Sequence, residues 1–375
     1  MTAPPSRLVE IFLFFSRLGL SAFGGPAAHI ALMEQEAVEQ RRWLSREQFL
    51  DLVGACNLLP GPSSTQVAMA LGYIRAGWPG LATAGACFIL PASTATLAVA
   101  WAYVHYGGLP QAQGLLYGAK PVMIALITQA IWRLARQALR RWFLAGVGAG
   151  CFAAVLAGAN SLAVILAAGV LLAVLAASRL PQSRHARSIA LLPLALGTTA
   201  PVAATLTSIA LVFLKLGVVV FGSGYVLLAF LQTDLVDRLH WVTQAQLLDA
   251  VTAGQVTPGP VFAAATFLGY LIHGYTGAGV ATAAIFLPSF FMAALVGALS
   301  TRMRQLPLAA AFLDGVNAAA IALMAAVAIS LGRATLVDVV TWDIALVSAA
   351  LLIRFKVNAT WLILGGAALG LLIQH

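Results

Sequence analysis

The chain is a succession of apolar runs parted by short polar gaps. In the first half the runs cover about 8–40, 47–75, 81–104, 113–133, 143–158 and 160–178, and a further run covers 189–204. Long apolar runs with charged gaps predict helices rather than barrel strands. Two runs contain helix breakers, Gly24-Gly25-Pro26 in the first and Pro60-Gly61-Pro62 in the second. Proline and glycine end one helix and let another begin at a sharp angle. The stretch 47–59 is shorter than the roughly 20 residues a full crossing needs. It predicts a re-entrant hairpin, a pair of short helices that enters and leaves by one face.

The pattern then repeats. Residues 12–62 align with 213–260 at an offset of 198, so that Arg17 falls on Lys215, Gly19 on Gly217, Glu36 on Asp234, Trp43 on Trp241 and Asp51 on Asp249. Pro60-Gly61-Pro62 falls on Pro258-Gly259-Pro260. One deletion later the offset is 197, with Gly72-Tyr73 on Gly269-Tyr270, Pro91 on Pro288 and Gly118 on Gly315. The chain therefore reads as two homologous halves, 1–178 and 205–375. A basic linker and an extra crossing, 179–204, lie between them.

Composition narrows the class. Hydrophobic residues make up 61% of 375, charged residues 9%, and mean hydropathy is +0.94. A soluble domain carries about 25% charge, so a polytopic all-α membrane protein remains. Lys and Arg number 21 against 12 Asp and Glu, a net charge of +9. The basic residues sit in the gaps, which points to cytoplasmic loops and not to a nucleic-acid surface. Cys56, Cys87 and Cys151 are odd in number, widely spaced and in apolar segments. Neither a disulfide framework nor a zinc cluster is expected. No cleavable signal peptide is expected either, because no small-residue cleavage site follows the first apolar run.

The basic bias changes sides between halves. The gap 132–142 holds Arg133, Arg136, Arg140 and Arg141, whereas 330–341 holds Arg333 and Asp338. One gap earlier the order reverses: 103–111 has no Lys or Arg, and 300–308 has Arg302 and Arg304. By the positive-inside rule the halves have opposite orientation, the inverted-repeat plan of many secondary transporters. An odd number of crossings must then separate equivalent points, and the run 189–204 supplies it. This places the N-terminus in the cytoplasm.

The breaks are the candidate chemistry. Helix N-termini present free N–H donors and partial positive charge, so they attract anions. Ser63, Ser64, Thr65 and Gln66 open a helix after Pro60-Gly61-Pro62, and His29 follows Gly24-Gly25-Pro26. In the second half Gly222, Ser223, Thr257 and Gly259 mark the matching breaks. Asn57 and Gln255 lie beside them as polar contacts. The competing reading is that these hydroxyls cap helices and the kinks serve packing. Arg17, Lys120 and Lys215 interrupt apolar segments, and such charges face a pathway or a partner. Arg17 and Lys215 bring one cation from each half, which suits a dianion; pairing with Glu10, Asp51, Asp249 or Asp314 is the alternative. Asp51 and Asp249 are candidate proton carriers, and Arg75 and Lys120 candidate gate charges. No metal constellation, nucleotide motif or nucleophile elbow is present, so no cofactor is expected and transport would draw on an ion gradient.

Several motifs resemble the chromate ion transporter family in its long, two-domain form. They are FGGPAAHIALMEQEAVEQRRWLS (23–45), DLVGACNLLPGPSSTQVAMALGY (51–73), RAGWPG (75–80) and FILPA (88–92). The second half is similar through FGSGY (221–225), GQVTPGPVFAAATFLGY (254–270) and FLPSF (286–290). The resemblance implies efflux of chromate across the bacterial inner membrane, driven by the proton motive force, with a link to sulfate. The second half departs from the pattern: Phe221-Gly222-Ser223-Gly224 replaces FGGP, and no Ser-Ser-Thr follows its second break. The first half is therefore expected to carry most substrate contacts. Two other readings stay open, a carrier for sulfate or another tetrahedral oxyanion, and a membrane-embedded enzyme acting on lipid. A monomer suffices for an inverted-repeat pathway, and a homodimer is the other assembly.

Overall fold

The computed structural model describes residues 6–23, 25–57, 59–139, 141–178, 203–220, 224–303 and 307–373. The predicted linker 179–187 and nearly all of the run 189–204 lie outside these residues, as do Gly24, Gly222 and Ser223. Among the described residues every regular element is a helix. In the first half these are α1 (Arg7–Ser21), α2 (Gly25–Glu34), α3 (Arg46–Asn57), α4 (Ser63–Tyr106), α5 (Pro110–Ala138), α6 (Trp142–Leu156) and α7 (Ser161–Ala177). The second half has α8 (Leu206–Val219), α9 (Gly224–Leu231), α10 (Gln244–Val256), α11 (Ala264–Met303), α12 (Pro307–Thr335), α13 (Val339–Ala350) and α14 (Ala359–Ile373). Among the described residues four segments are long and apolar enough to cross a bilayer: 63–106, 110–138, 261–297 and 310–335.

The run predicted as 8–40 is two elements. α1 ends at Ser21, and α2 opens at Gly25, whose φ of 77° a side chain would strain. The runs predicted as 47–75 and 81–104 meet differently than the hydropathy suggests. α4 is two helical limbs joined without a loop, broken by the non-helical torsions of Ala76 (φ −148°) and Gly77 (φ 62°). Its two limbs then double back. A Cβ on Gly72 would collide with the Gly80 carbonyl, and one on Gly85 would sit 2.9 Å from the Met69 methyl. Pro79 falls in the first turn after the bend, where its missing N–H costs nothing. α11 repeats the bend at His273 (φ −148°) and Gly274 (φ 62°), with Gly269 against Gly277.

The local repeat extends further. α2 continues as a π-helix over Gln35–Gln40, and α9 does so over Gln232–Arg238. Arg42 and His240 both have φ of 52° in the turns that follow. Ser45 and Gln48 cap α3 reciprocally as Thr243 and Gln246 cap α10.

Packing interlocks the halves. α4 lies against α11 at the centre, with α1 on α4 and α8 on α11. α5 of the first half packs on α13 and α14 of the second, and α12 packs on α6 and α7. Glycines permit both exchanged contacts. Gly118 meets Gly366 and Gly370, and its counterpart Gly315 meets Ala168 and Gly169. Apolar side chains gain nothing by leaving lipid for another helix, so close backbone approach at small residues holds such contacts.

Candidate functional site

The broken helices meet at the centre, where each half braces the other. α1 gives way to Ala22 and α8 to Val220, both in extended backbone. Gly61 N–H donates to the Val220 carbonyl at 2.6 Å, and Gly259 N–H donates to the Ala22 carbonyl at 2.9 Å. These bonds are repeat equivalents and each crosses between halves. Gly61 (φ 112°) and Gly259 (φ 97°) reach them in a backbone conformation that disfavours a side chain. There is also no room for one. A Cβ on Gly61 would meet Gln66 Nε2 at 2.6 Å and Ser289 Oγ at 3.0 Å, and one on Gly259 would meet the Ala92 methyl at 2.7 Å.

Polar side chains crowd this brace, and they are buried. His29 Nε2 donates to the Ala22 carbonyl at 3.2 Å, which leaves Nδ1 to face Ser64 Oγ at 3.4 Å. The imidazole stands edge-on to Phe88. Gln66 Nε2 donates to the Pro60 carbonyl. Thr257 Oγ1 bonds the Ala253 carbonyl at 3.0 Å and pairs with Thr96 Oγ1 at 3.1 Å. Thr65 Oγ1, Gln66 Oε1, Ser93 Oγ, Gln255 Nε2 and Ser289 Oγ are buried without a hydrogen-bond partner. Each unpartnered buried group costs about 1–3 kcal/mol. The start of α4 adds backbone donors, because Pro62 at its N-cap offers no side-chain acceptor. Ser63, Ser64 and Thr65 are all buried there. At the matching place in the second half a 3₁₀ turn, Val261–Ala263, carries apolar side chains instead.

The charged candidates fall into separate places. Asp249 of α10 is buried, with Oδ1 3.2 Å from Lys120 Nζ of α5, and Oδ2 accepts from the Tyr103 hydroxyl of α4 at 3.0 Å. Lys215 Nζ lies 2.7 Å from Asp234, which Arg238 also approaches at 3.3 Å. Arg75 pairs with Glu10 at 2.8 Å and stacks on Trp43. Arg17 is on the exposed face of α1, one turn before Ser21. Asn57 is exposed at the end of α3 whereas its equivalent Gln255 is buried. Asp51 is half-buried on α3. The geometry therefore gathers His29, Pro60, Gly61, Ser63–Gln66, Thr257 and Gly259 in one region and joins Lys120 to Asp249 in another. Ser93, Thr96, Ser289 and Tyr103 were not singled out in the sequence. Their signal was faint: Ser93 and Thr96 are polar residues just after Pro91 in an apolar run.

The profile of the family described as Chromate transporter matches residues 9–174 and again 207–371. The chain belongs to this family. Among its curated relatives is a chromate transport protein of Cupriavidus metallidurans, 35% identical over 374 residues, covering 98% of this chain and 93% of the relative. A probable chromate transport protein of Synechococcus elongatus is 31% identical over 92% of this chain and 90% of its own length. A chromate transport protein of Pseudomonas aeruginosa is 31% identical over 88% and 83% respectively. No solved structure matches the chain. Membership makes this chain a helical membrane protein and a transport protein rather than an enzyme.

Proposed function

We propose that this member of the chromate transporter family exports chromate from the cytoplasm across the bacterial inner membrane, driven by the proton motive force. The site is the central brace, and the two halves work as an inverted repeat by alternating access. One observation carries the reading: the reciprocal bonds Gly61 N–H to Val220 and Gly259 N–H to Ala22 join the Pro-Gly-Pro break of each half to the end of the first helix of the other. Broken backbone at membrane depth persists only inside protein or beside a polar cavity. Here it is surrounded by buried Ser, Thr, Gln and His donors, the chemistry that holds an oxyanion. The limb 63–75 rises about 20 Å, short of the roughly 30 Å hydrocarbon core, which supports a re-entrant hairpin ending at the brace. Substrate contacts fall mainly to the first half, where Ser63, Ser64 and Thr65 stand opposite Val261, Phe262 and Ala263.

Sulfate has the same charge and tetrahedral shape, and the same donors would accept it; a sulfate carrier is the second reading. Asp249 with Lys120 is the better placed proton-coupling pair, because it joins α10 of one half to α5 of the other. The test is chromate uptake into inverted inner-membrane vesicles, with and without an uncoupler and with excess sulfate. Uptake that collapses with the uncoupler and yields to sulfate is expected. No uptake by vesicles holding folded protein would overturn the substrate or the direction.

A further inference from the structure

We infer that Lys120 is the floor of a one-sided vestibule through which the oxyanion leaves on the membrane face bearing the turn between α12 and α13. The inference rests on the oxyanion-carrier reading and adds to it a second anion site, apart from the helix breaks. A cleft of about 300 Å³ runs between α5 and the end of α12, lined by Gln113, Tyr117 and Lys120 on one side and Thr335 and Val337 on the other. Gln113, Tyr117 and Lys120 share a face of α5, since they are spaced by four and three residues. From Gln113 to Lys120 the helix descends about 10 Å. Val337 at the mouth is 70% exposed.

The polar groups of the lining are an amide, a phenol, an ammonium and a hydroxyl, set among Leu116, Ala334 and Val337, with no carboxylate among the lining residues. The nearby carboxylate, Asp338, accepts from the Tyr117 hydroxyl at 2.8 Å and from the Thr341 amide at 2.8 Å, so the phenol is committed and Lys120 is the charged donor the lining offers an anion. Lys120 faces two ways. Its side chain is 22% exposed, while the Asp249 carboxylate behind it is 2% exposed. An ammonium has three donors, and the Asp249 contact leaves some directed into the cleft. An anion entering the cleft therefore competes with Asp249 for the same charge.

The second half has lost this chemistry at the equivalent positions. Asn317 replaces Lys120, Asp314 replaces Tyr117, Ala310 replaces Gln113, and Arg141 stands where Asp338 does. Lys120 therefore has no cationic counterpart at the equivalent position of α12.

The experiment uses the full chain in nanodiscs, with Cys56, Cys87 and Cys151 changed to Ala and Thr335→Cys as the reporter. Its thiol is modified by a sulfonate-bearing and by a trimethylammonium-bearing methanethiosulfonate, and the ratio of the two rates is read. The ratio should favour the anionic reagent. It should fall about tenfold from Asp249→Asn to Lys120→Gln/Asp249→Asn, two variants that differ by the one charge of Lys120 a few ångströms away at a partly hydrated site, and be kept in Lys120→Arg. The double variant leaves no uncompensated buried charge, so it remains informative where a single variant misfolds. Asp249→Asn alone should raise the ratio. A ratio unmoved by loss of Lys120 would overturn the vestibule. Failure of the carrier reading shows separately, as absent chromate uptake by wild-type vesicles.

Discussion

Arg17 and Lys215 occupy equivalent places in the repeat but stand in different company. Lys215 is neutralised by Asp234 at 2.7 Å, whereas Arg17 lies on the exposed face of α1 a turn from the brace. Arg17→Ala should therefore abolish chromate uptake while leaving insertion and thermal stability unchanged. Uptake at the wild-type rate in vesicles would remove Arg17 from the mechanism. Asp338 shows how a single carboxylate outside the helices feels its neighbours. The Thr341 amide and then the Tyr117 hydroxyl hold its pKa below the ordinary carboxylate value. A depressed folded-state pKa contributes stability above the unfolded-state value of about 3.9, and that contribution is lost as pH falls through the folded-state value. Asp338→Asn should flatten the fall in melting temperature on the acid side of about pH 4, measured across a pH series.

Elements in this protein are defined by their bends. Gly77 (φ 62°, ψ −149°) turns α4 back on itself, in a backbone region that only glycine adopts freely. Nothing lies within 4 Å of a Cβ built there. Gly77→Ala should then cost only torsional strain, about 1–3 kcal/mol, seen as a lowered melting temperature with the fold retained. Gly118 presents the opposite case. Its torsions are helical, but a Cβ would strike the Gly366 backbone. Gly118→Leu should force α5 and α14 apart and lose the monodisperse peak in size-exclusion chromatography. A well-folded Gly118→Leu protein would show that this contact does not hold the exchanged helices.

At the scale of the whole molecule the halves cannot be separated without stripping both. α5 finds its partners in α13 and α14, and α12 finds its own in α6 and α7. The proposed inversion makes a direct prediction. Arg42 and His240 are exposed equivalents with the same φ of 52°. Cysteines placed there, Arg42→Cys and His240→Cys, should react with a membrane-impermeant thiol reagent from opposite faces. Labelling from one face would mean a parallel repeat and would remove the basis for alternating access by inversion.

The sequence by itself determined the class, the repeat and the places where helices break. Low charge and long apolar runs leave lipid as the solvent, and Pro-Gly-Pro cannot continue a helix in any environment. The glycines, prolines and tryptophans that recur at offsets of 198 and 197 also recur as bends, turns and caps, because those features are local. Only the tertiary structure decided which breaks touch. No periodicity says that Gly61 donates to Val220, or that Lys120 meets Asp249 rather than a carboxylate of its own half. The exchange of α5 and α12 between halves was likewise illegible, since it depends on glycines far apart in the chain fitting backbone to backbone. Arg17 and Lys215 were read alike because they align. Their surroundings separate them, and a side chain's partner is a property of the packed molecule, not of its position in a repeat.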